Sequence, residues 1–172
     1  VLNKLIGPEF NRGPRIIEEL EFIYNANTHV SELVNLGYHC EIISNQPDFA
    51  RGLLSAKSHQ QIVELFRKEF SGIVMQRYCL HDNSDLCECR KPKTKLLDIA
   101  RTQYGIDPTV SWFIGDKWTD VLTGQRFGCK SILIENQNSW TPTSQGKFPL
   151  YLKPDFTTID LESAVSLITQ MN

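Results

Sequence analysis

The chain has 172 residues, of which 41% are hydrophobic and 22% are charged, and its formal net charge is −2. This length suits one domain with a sizeable core. No apolar run approaches the roughly 18 residues that a membrane span needs, and no overall basic field favours a nucleic-acid partner. The first residues lack the pattern of a secretory signal. We therefore expect a cytoplasmic protein without membrane partners, either a monomer or a weak homo-oligomer.

The first half of the chain predicts two helices and two strands. Apolar residues recur at helical spacing over 28–37, where Gly37 ends the helix, and residues 38–44 follow as a short buried strand. A second helix is predicted from an N-cap at Ser55 to about residue 70. The next strand covers residues 73–78, and a cluster of cysteines follows it directly.

The second half continues the alternation of helices and strands. We predict a helix over 94–104, a strand over 110–114, a helix over 119–127 and a strand over 131–134. A polar loop over 136–153 and a final helix capped by Asp160 complete the chain. This order indicates an α/β fold with a Rossmann-like parallel sheet, helices on both faces and no large cap domain. Residues 1–172 then form a single domain that carries a small metal-binding loop at about 79–92.

Four metal-ligand side chains lie within eleven residues of one another: Cys79, His81, Cys87 and Cys89. Three thiolates and one imidazole complete a tetrahedral shell with no open position, which is typical of structural zinc. The alternative is a surface loop with unpaired thiols. The other two cysteines, Cys40 and Cys129, are adjacent to or within apolar strands, and we expect both to be buried, inert thiols.

Two adjacent cations, Arg90 and Lys91, follow the last cysteine of the cluster. A metal-stapled backbone would orient them toward an anion such as phosphate, whereas the alternative is a solvated basic turn. Polar residues also end two strands, with Ser44-Asn45-Gln46 after one and Asp116 after another.

Ligands of open parallel sheets bind beyond the carboxyl ends of the strands. The carboxylates of Asp116 and Asp120 could converge on one Mg²⁺ ion. The alternative is that Asp116 caps a turn and Asp120 stabilises the start of the next helix.

Three segments together resemble the haloacid-dehalogenase superfamily of phosphatases, in the branch with histidinol-phosphate and D-glycero-D-manno-heptose 1,7-bisphosphate phosphatases. These segments are residues 41–52 (EIISNQPDFARG), 79–92 (CLHDNSDLCECRKP) and 112–120 (WFIGDKWTD). The resemblance runs from the first residues to about Ile134.

The resemblance implies a mechanism in which one aspartate attacks phosphorus and forms an aspartyl-phosphate, while a second aspartate acts as acid and base. The remaining roles follow by position. Ser44 and Asn45 would contact the phosphoryl oxygens, Lys91 would neutralise charge, Arg90 would reach the substrate, Asp116 would bind a catalytic Mg²⁺ and Asp120 would support it. Gln46 and Arg51 are weaker candidates for substrate contacts.

The nucleophile motif of the family, Asp-x-Asp-Gly, would align just before Val1, and no aspartate precedes Asp48. We expect an upstream segment to carry it, so that the 172 residues alone would be inactive; the alternative is a natural loss of the motif.

The sequence motifs bear on three functions for the intact protein. The favoured one is a Mg²⁺-dependent phosphomonoesterase acting on a small phosphate ester, with a heptose bisphosphate as first candidate and histidinol phosphate as second. A catalytically inactive phosphate-binding or regulatory module is the alternative of another class. A zinc-ribbon nucleic-acid binder fits poorly, because no basic and aromatic residues surround the loop.

Overall fold

The computed structural model of the protein describes residues 1–7, 12–142 and 147–172. Its helices and strands, in chain order, are α1 Ala26–Asn35, β1 Cys40–Asn45, α2 Pro47–Ala50, α3 Ala56–Glu69, β2 Ile73–Cys79, α4 Lys95–Tyr104, β3 Trp112–Gly115, α5 Trp118–Phe127, β4 Lys130–Ile134, β5 Phe156–Thr158 and α6 Leu161–Gln170. Three 3₁₀ turns lie at Ile17–Glu19, Asn83–Asp85 and Pro108–Val110. No described helix combines the length and the apolar character that crossing a bilayer requires.

The chain divides into two compact units, which are described separately. The first, here called the β1–β2 unit, comprises residues 2–82 and 165–172. The second, the β3–β5 unit, comprises Val1 and residues 83–164.

The β1–β2 unit contains a parallel pair of strands in which Asn45 at the end of β1 lies opposite Cys79 at the end of β2. Helix α3 begins where the Ser55 hydroxyl accepts a hydrogen bond from the backbone N–H of Ser58, which satisfies one of the free donors of the first turn. Its apolar face includes Phe66, whose ring packs edge-on against that of Phe22 with the centroids 5.0 Å apart. This aromatic packing anchors α3 within the unit.

The β3–β5 unit contains three parallel strands in the order β3-β4-β5. Helix α5 is buried over most of its length, with Trp118 and Val121 only 3% and 1% exposed. It ends at Gly128, whose backbone φ of 93° lies in the left-handed region that glycine adopts without strain. Helix α5 thus connects the carboxyl end of β3 to the start of β4 through the centre of the unit.

The predicted α/β class with parallel strands is confirmed. The described strands make one two-stranded and one three-stranded sheet. No strand within the described ranges pairs with the outer edge of β1 or of β3. The single-domain organisation stays a prediction.

The predicted elements agree with the structure to within about two residues at most ends. Strand β3 begins at Trp112 rather than at residue 110, because residues 108–110 form a 3₁₀ turn. The predicted loop over 136–153 contains no helix or strand in its described part, and residues 143–146 lie outside the described ranges. The short elements α2 and β5 were not predicted.

Candidate functional site

The carboxylate of Asp120 is the centre of a buried polar cluster between the end of β3 and the first turn of α5. Asp120 is 6% exposed. Its Oδ2 accepts hydrogen bonds from the backbone N–H groups of Asp116 and Lys117, at 3.2 and 3.1 Å. A carboxylate in the first turn also interacts favourably with the positive end of the helix dipole. Asp120 therefore fixes the backbone of the residues that follow β3.

The other oxygen of the same carboxylate binds Lys91. The Lys91 Nζ lies 2.7 Å from Asp120 Oδ1, and the two side chains are 12% and 8% exposed. The ammonium also lies 5.7 Å from the ring centroid of Phe113, on the face that attracts cations. Because both partners are largely shielded from water, this pair holds the ammonium in one place, which a solvated basic turn would not do.

Glycine at position 115 allows β3 and α5 to approach this closely. A Cβ atom added there would lie 2.1 Å from Asp120 Cβ and 2.6 Å from Asp120 Oδ2. Real Cβ atoms do not make contacts below 3.0 Å. Gly115 is therefore required for Asp120 to reach its backbone partners.

The carboxylate of Asp116 lies at the end of β3 and is partly open to solvent. Its Oδ1 lies 3.9 Å from the Val1 nitrogen, and the side chain is 24% exposed. A partly exposed carboxylate oxygen fits Mg²⁺, which prefers carboxylate ligands and retained waters. Both oxygens of Asp120, in contrast, are engaged by protein donors. A supporting role for Asp120 fits this geometry better than direct convergence of two carboxylates on the ion.

The four predicted zinc ligands lie together on one loop that starts at the end of β2. The ligand atoms of Cys79, His81, Cys87 and Cys89 all lie within 4.8 Å of one another. The Cys79 Sγ and His81 Nδ1 are 3.7 Å apart, and tetrahedral zinc with bonds of about 2.1–2.3 Å separates sulfur and nitrogen ligands by roughly 3.6 Å. The donor set and its spacing therefore fit a closed structural zinc site.

The end of β1 is tied to the first of these ligands. The backbone N–H of Gln46 donates to the Cys79 carbonyl at 2.8 Å. The Gln46 side-chain amide donates to the Ser44 hydroxyl at 3.2 Å. Ser44 and Asn45 are the last residues of β1, and Gln46 links this strand end to Cys79, so a polar run ends the strand as the sequence predicts.

Arg51, a predicted substrate contact, is already engaged by two carboxylates. Its Nε and Nη2 donate to the two oxygens of Asp82, at 2.9 and 2.7 Å. Its Nη1 lies 3.5 Å from Asp48 Oδ1. Asp82 was not predicted from the sequence, although its position directly after the proposed ligand His81 was a usable signal. The need for glycine at position 115 was not predicted either.

Comparison with known proteins places the chain in a family. Residues 88–163 match the model of the HAD-hydrolase-like family. A D-glycero-beta-D-manno-heptose-1,7-bisphosphate 7-phosphatase of Haemophilus ducreyi is 30% identical over 148 residues, covering 79% of this chain and 81% of that protein. The chain belongs to the HAD-like phosphatases.

One further relative agrees with that assignment, and one solved structure shares the fold. A D-glycero-alpha-D-manno-heptose-1,7-bisphosphate 7-phosphatase of Photorhabdus laumondii is 32% identical, over 65% of this chain and 67% of that protein. A crystal structure of a D,D-heptose 1,7-bisphosphate phosphatase from B. bronchiseptica, with magnesium and phosphate, covers all of this chain and 94% of its own. Its TM-score is 0.83 at 20% identity, which shows a shared fold.

Within this HAD-like phosphatase the predicted site residues fall into two groups. The β3–β5 unit contains Lys91, Asp116 and Asp120, which the Asp120 carboxylate links, and the β1–β2 unit contains Ser44, Asn45, Gln46 and Arg51. Arg90 directly precedes Lys91 and is half-buried. The substrate and phosphate roles of these residues stay predictions.

The two remaining cysteines differ from those of the ligand cluster. Burial raises the pKa of both the Cys40 and the Cys129 thiol to about 11. Thiols with such pKa values stay protonated at neutral pH and are poor ligands and nucleophiles. Cys129 is buried as predicted, whereas Cys40 is only half-buried.

Proposed function

We propose that this HAD-like phosphatase hydrolyses the 7-phosphate of a D-glycero-D-manno-heptose 1,7-bisphosphate with Mg²⁺ as cofactor. The observation that carries the proposal is the Lys91 ammonium fixed by Asp120 beside the Asp116 loop, in a chain whose relatives bear this activity in their names. The two named relatives differ in the anomer of the heptose, so both anomers are candidate substrates.

The chemistry of the site follows from its charges. The Lys91 ammonium would neutralise one oxygen of the transferring phosphoryl group, and its fixed position would remove reorganisation from the barrier. Asp116 would hold Mg²⁺, which when bound supplies Lewis-acid stabilisation of the phosphoryl oxygens. Asp120 would hold the Asp116 backbone and the Lys91 ammonium in fixed positions relative to each other. Ser44 and Asn45 would donate to the remaining oxygens, and Arg90 and Gln46 would contact the sugar.

The proposed reaction requires an aspartate nucleophile beside the Lys91 ammonium and the Asp116 carboxylate. An aspartyl-phosphate formed there would split the hydrolysis into two easier steps.

The cysteine and histidine cluster is proposed to hold a structural zinc ion. Four protein ligands leave no open position for substrate, so this metal would stabilise the loop rather than take part in the chemistry. Cytoplasmic location and a monomeric or weakly associating state stay predictions.

Phosphate release by the full-length protein tests the proposal. The α and β anomers of heptose 1,7-bisphosphate, heptose 1-phosphate and histidinol phosphate should be compared with and without Mg²⁺. We expect Mg²⁺-dependent release of one equivalent from a bisphosphate and little from heptose 1-phosphate. Preference for histidinol phosphate would establish the second candidate instead. Phosphate binding without turnover of any substrate would establish the inactive module.

Asp116→Asn tests the Mg²⁺ assignment within the same assay. Loss of one carboxylate charge should reduce turnover by about 10²-fold or more at low Mg²⁺, because weaker metal binding removes charge stabilisation in the transition state. Asp98→Asn, at a carboxylate of α4 that is 38% exposed and pairs with Arg101, is the matched control and should keep normal turnover. Unchanged Mg²⁺ dependence in Asp116→Asn would overturn the assignment.

A further inference from the structure

Four charged side chains of the β1–β2 unit form a chain of ion pairs that ends next to a metal ligand. Arg15 Nε donates to Asp48 Oδ2 at 2.6 Å, and Asp48 Oδ1 lies 3.5 Å from Arg51 Nη1. Arg51 then binds both oxygens of Asp82. With two positive and two negative groups the chain of ion pairs is neutral, and it is consistent with a structural function more than with capture of a free anion.

Arg51 and Asp82 form a bidentate ion pair. Two parallel N–H···O bonds, at 2.9 and 2.7 Å, match the planar guanidinium to the planar carboxylate. The residues are 31 positions apart in sequence. Asp82 directly follows His81, and Arg51 directly follows α2 in the segment that continues from Ser44-Asn45-Gln46. The pair therefore joins the ligand arm to the segment that leads away from the predicted phosphate site.

A second link joins the same two segments at their other ends. The Gln46 N–H donates to the carbonyl of the buried ligand Cys79. The ligand arm 79–82 is thus bound at its start by Gln46 and at its end by Arg51. Between these two points, residues 46–54 fold back on themselves, and the N–H groups of Leu53 and Leu54 both donate to the Asp48 carbonyl, at 2.9 and 3.0 Å.

We propose that Arg51 and Asp82 are positioning residues that couple metal binding by the Cys79–Cys89 loop to the order of residues 46–54. In this arrangement Arg51 acts through Asp82 and Asp48 and does not contact substrate. A bound metal fixes His81 and hence the neighbouring Asp82, which holds Arg51. Loss of the metal frees the arm and releases Arg51, and with it the turn that follows Ser44. The inference deepens the proposed function, on which it rests for the role of that turn.

Hydrogen exchange and metal affinity test the coupling without any substrate. In the zinc-loaded, full-length protein, Asp82→Asn should accelerate exchange of the backbone amides of residues 51–54 by about two- to fivefold, the range expected for a partly exposed pair. The same variant should lower zinc affinity by a similar factor, measured by competition with a chromophoric chelator. Arg51→Met should reproduce both effects.

Matched variants separate coupling from a general loss of stability. Glu64→Gln removes an exposed ion pair with Arg67 on α3 and should change neither zinc affinity nor exchange at 51–54. Chelation of zinc should accelerate exchange at 51–54 in the wild type and add little in Asp82→Asn, because both changes release the same contact. If the wild type unfolds on chelation, the comparison of the zinc-loaded proteins decides.

Two outcomes distinguish failure of this inference from failure of the proposed function. Normal zinc affinity and normal exchange in both Asp82→Asn and Arg51→Met would overturn the coupling, whatever the phosphatase activity. Changed affinity and exchange in a protein that releases phosphate from none of the substrates would retain the coupling and overturn the proposed function.

Discussion

Replacement of Gly115 by alanine is the sharpest test of how the candidate site is packed. The added Cβ would lie 2.1, 2.5 and 2.6 Å from three atoms of the Asp120 side chain. No rotation of the new methyl group relieves this overlap, because a Cβ position is set by the backbone. Either β3 moves away from α5, or the Asp120 carboxylate leaves its place and releases Lys91.

Both responses lower the free energy of unfolding, and each loss can be approximated. Overpacking of a core position costs about 1–3 kcal/mol. Loss of one partner from a shielded ion pair costs about 3–5 kcal/mol. The structure will relax by the combination of the two movements that costs the least free energy. We therefore expect a loss of about 3 kcal/mol in the free energy of unfolding. For a chain of this size that corresponds to a fall in Tm of about 6–12 °C.

The expected effect on activity is larger than the effect on packing alone. A displaced Asp120 no longer holds Lys91, and removal of one oriented charge from a transition state costs about 10²-fold or more in kcat. The assay is thermal unfolding of Gly115→Ala together with phosphate release at a temperature where the variant stays folded.

Two control variants decide the interpretation of the alanine substitution. Gly13→Ala adds a methyl group with its nearest neighbour 3.9 Å away and should be neutral. Gly124→Ala places a Cβ 2.8 Å from Phe113 Cβ, so it should lower Tm while leaving Asp120 in place and kcat near normal. A Gly115→Ala protein with normal Tm and normal kcat would refute the packing argument.

Two further predictions concern the proposed zinc loop and the loss of folding stability at acidic pH. Cys87→Ser should lower bound zinc from one equivalent toward none and lower Tm, whereas Cys129→Ser should keep the full zinc content; retention of zinc by Cys87→Ser would exclude that ligand. The hydrogen bonds from the Arg12 guanidinium and the Arg15 N–H lower the pKa of Glu19 from 4.5 to about 2. A lowered carboxyl pKa stabilises the folded state above pH 4.5, and this stabilisation is lost as the pH falls toward 2. For this partly solvated pair we expect Glu19→Gln to cost about 1 kcal/mol in urea unfolding at pH 7 and progressively less below pH 4.5. A difference that does not change with pH would contradict this account.

The helix boundaries and the clustering of the proposed metal ligands were predictable because their signals are local. The serine cap of α3 and the glycine after α4 each act within one turn of the helix that they bound. The four metal ligands lie within eleven consecutive residues, so no knowledge of the fold was needed to bring them together. Strand β5 has three residues, which is too short for an alternating pattern to be visible.

Other features of the site depend on contacts that sequence spacing cannot supply. The partner of Arg51 is 31 positions away and could be identified only once β1 and β2 are paired in register. The need for glycine at position 115 arises from the distance between β3 and α5, and Gly-Asp alone indicates no more than a turn. From the sequence alone, the Asp120 carboxylate could bind a metal, cap a helix or pair with a lysine. Only the structure shows that its partners are Lys91 and two backbone N–H groups.

The geometry around Asp120 explains how a buried carboxylate supports the proposed phosphate site. Removal of a charged side chain from water is costly unless a partner compensates it. Asp120 offsets that cost for Lys91, while the amides of Asp116 and Lys117 satisfy its second oxygen. The lysine side chain is therefore held in one position before any substrate arrives. Since both Asp116 and Lys91 take their positions from this single carboxylate, a change at Asp120 should alter metal affinity and phosphate affinity together, whereas a change at Asp116 should alter the first more than the second.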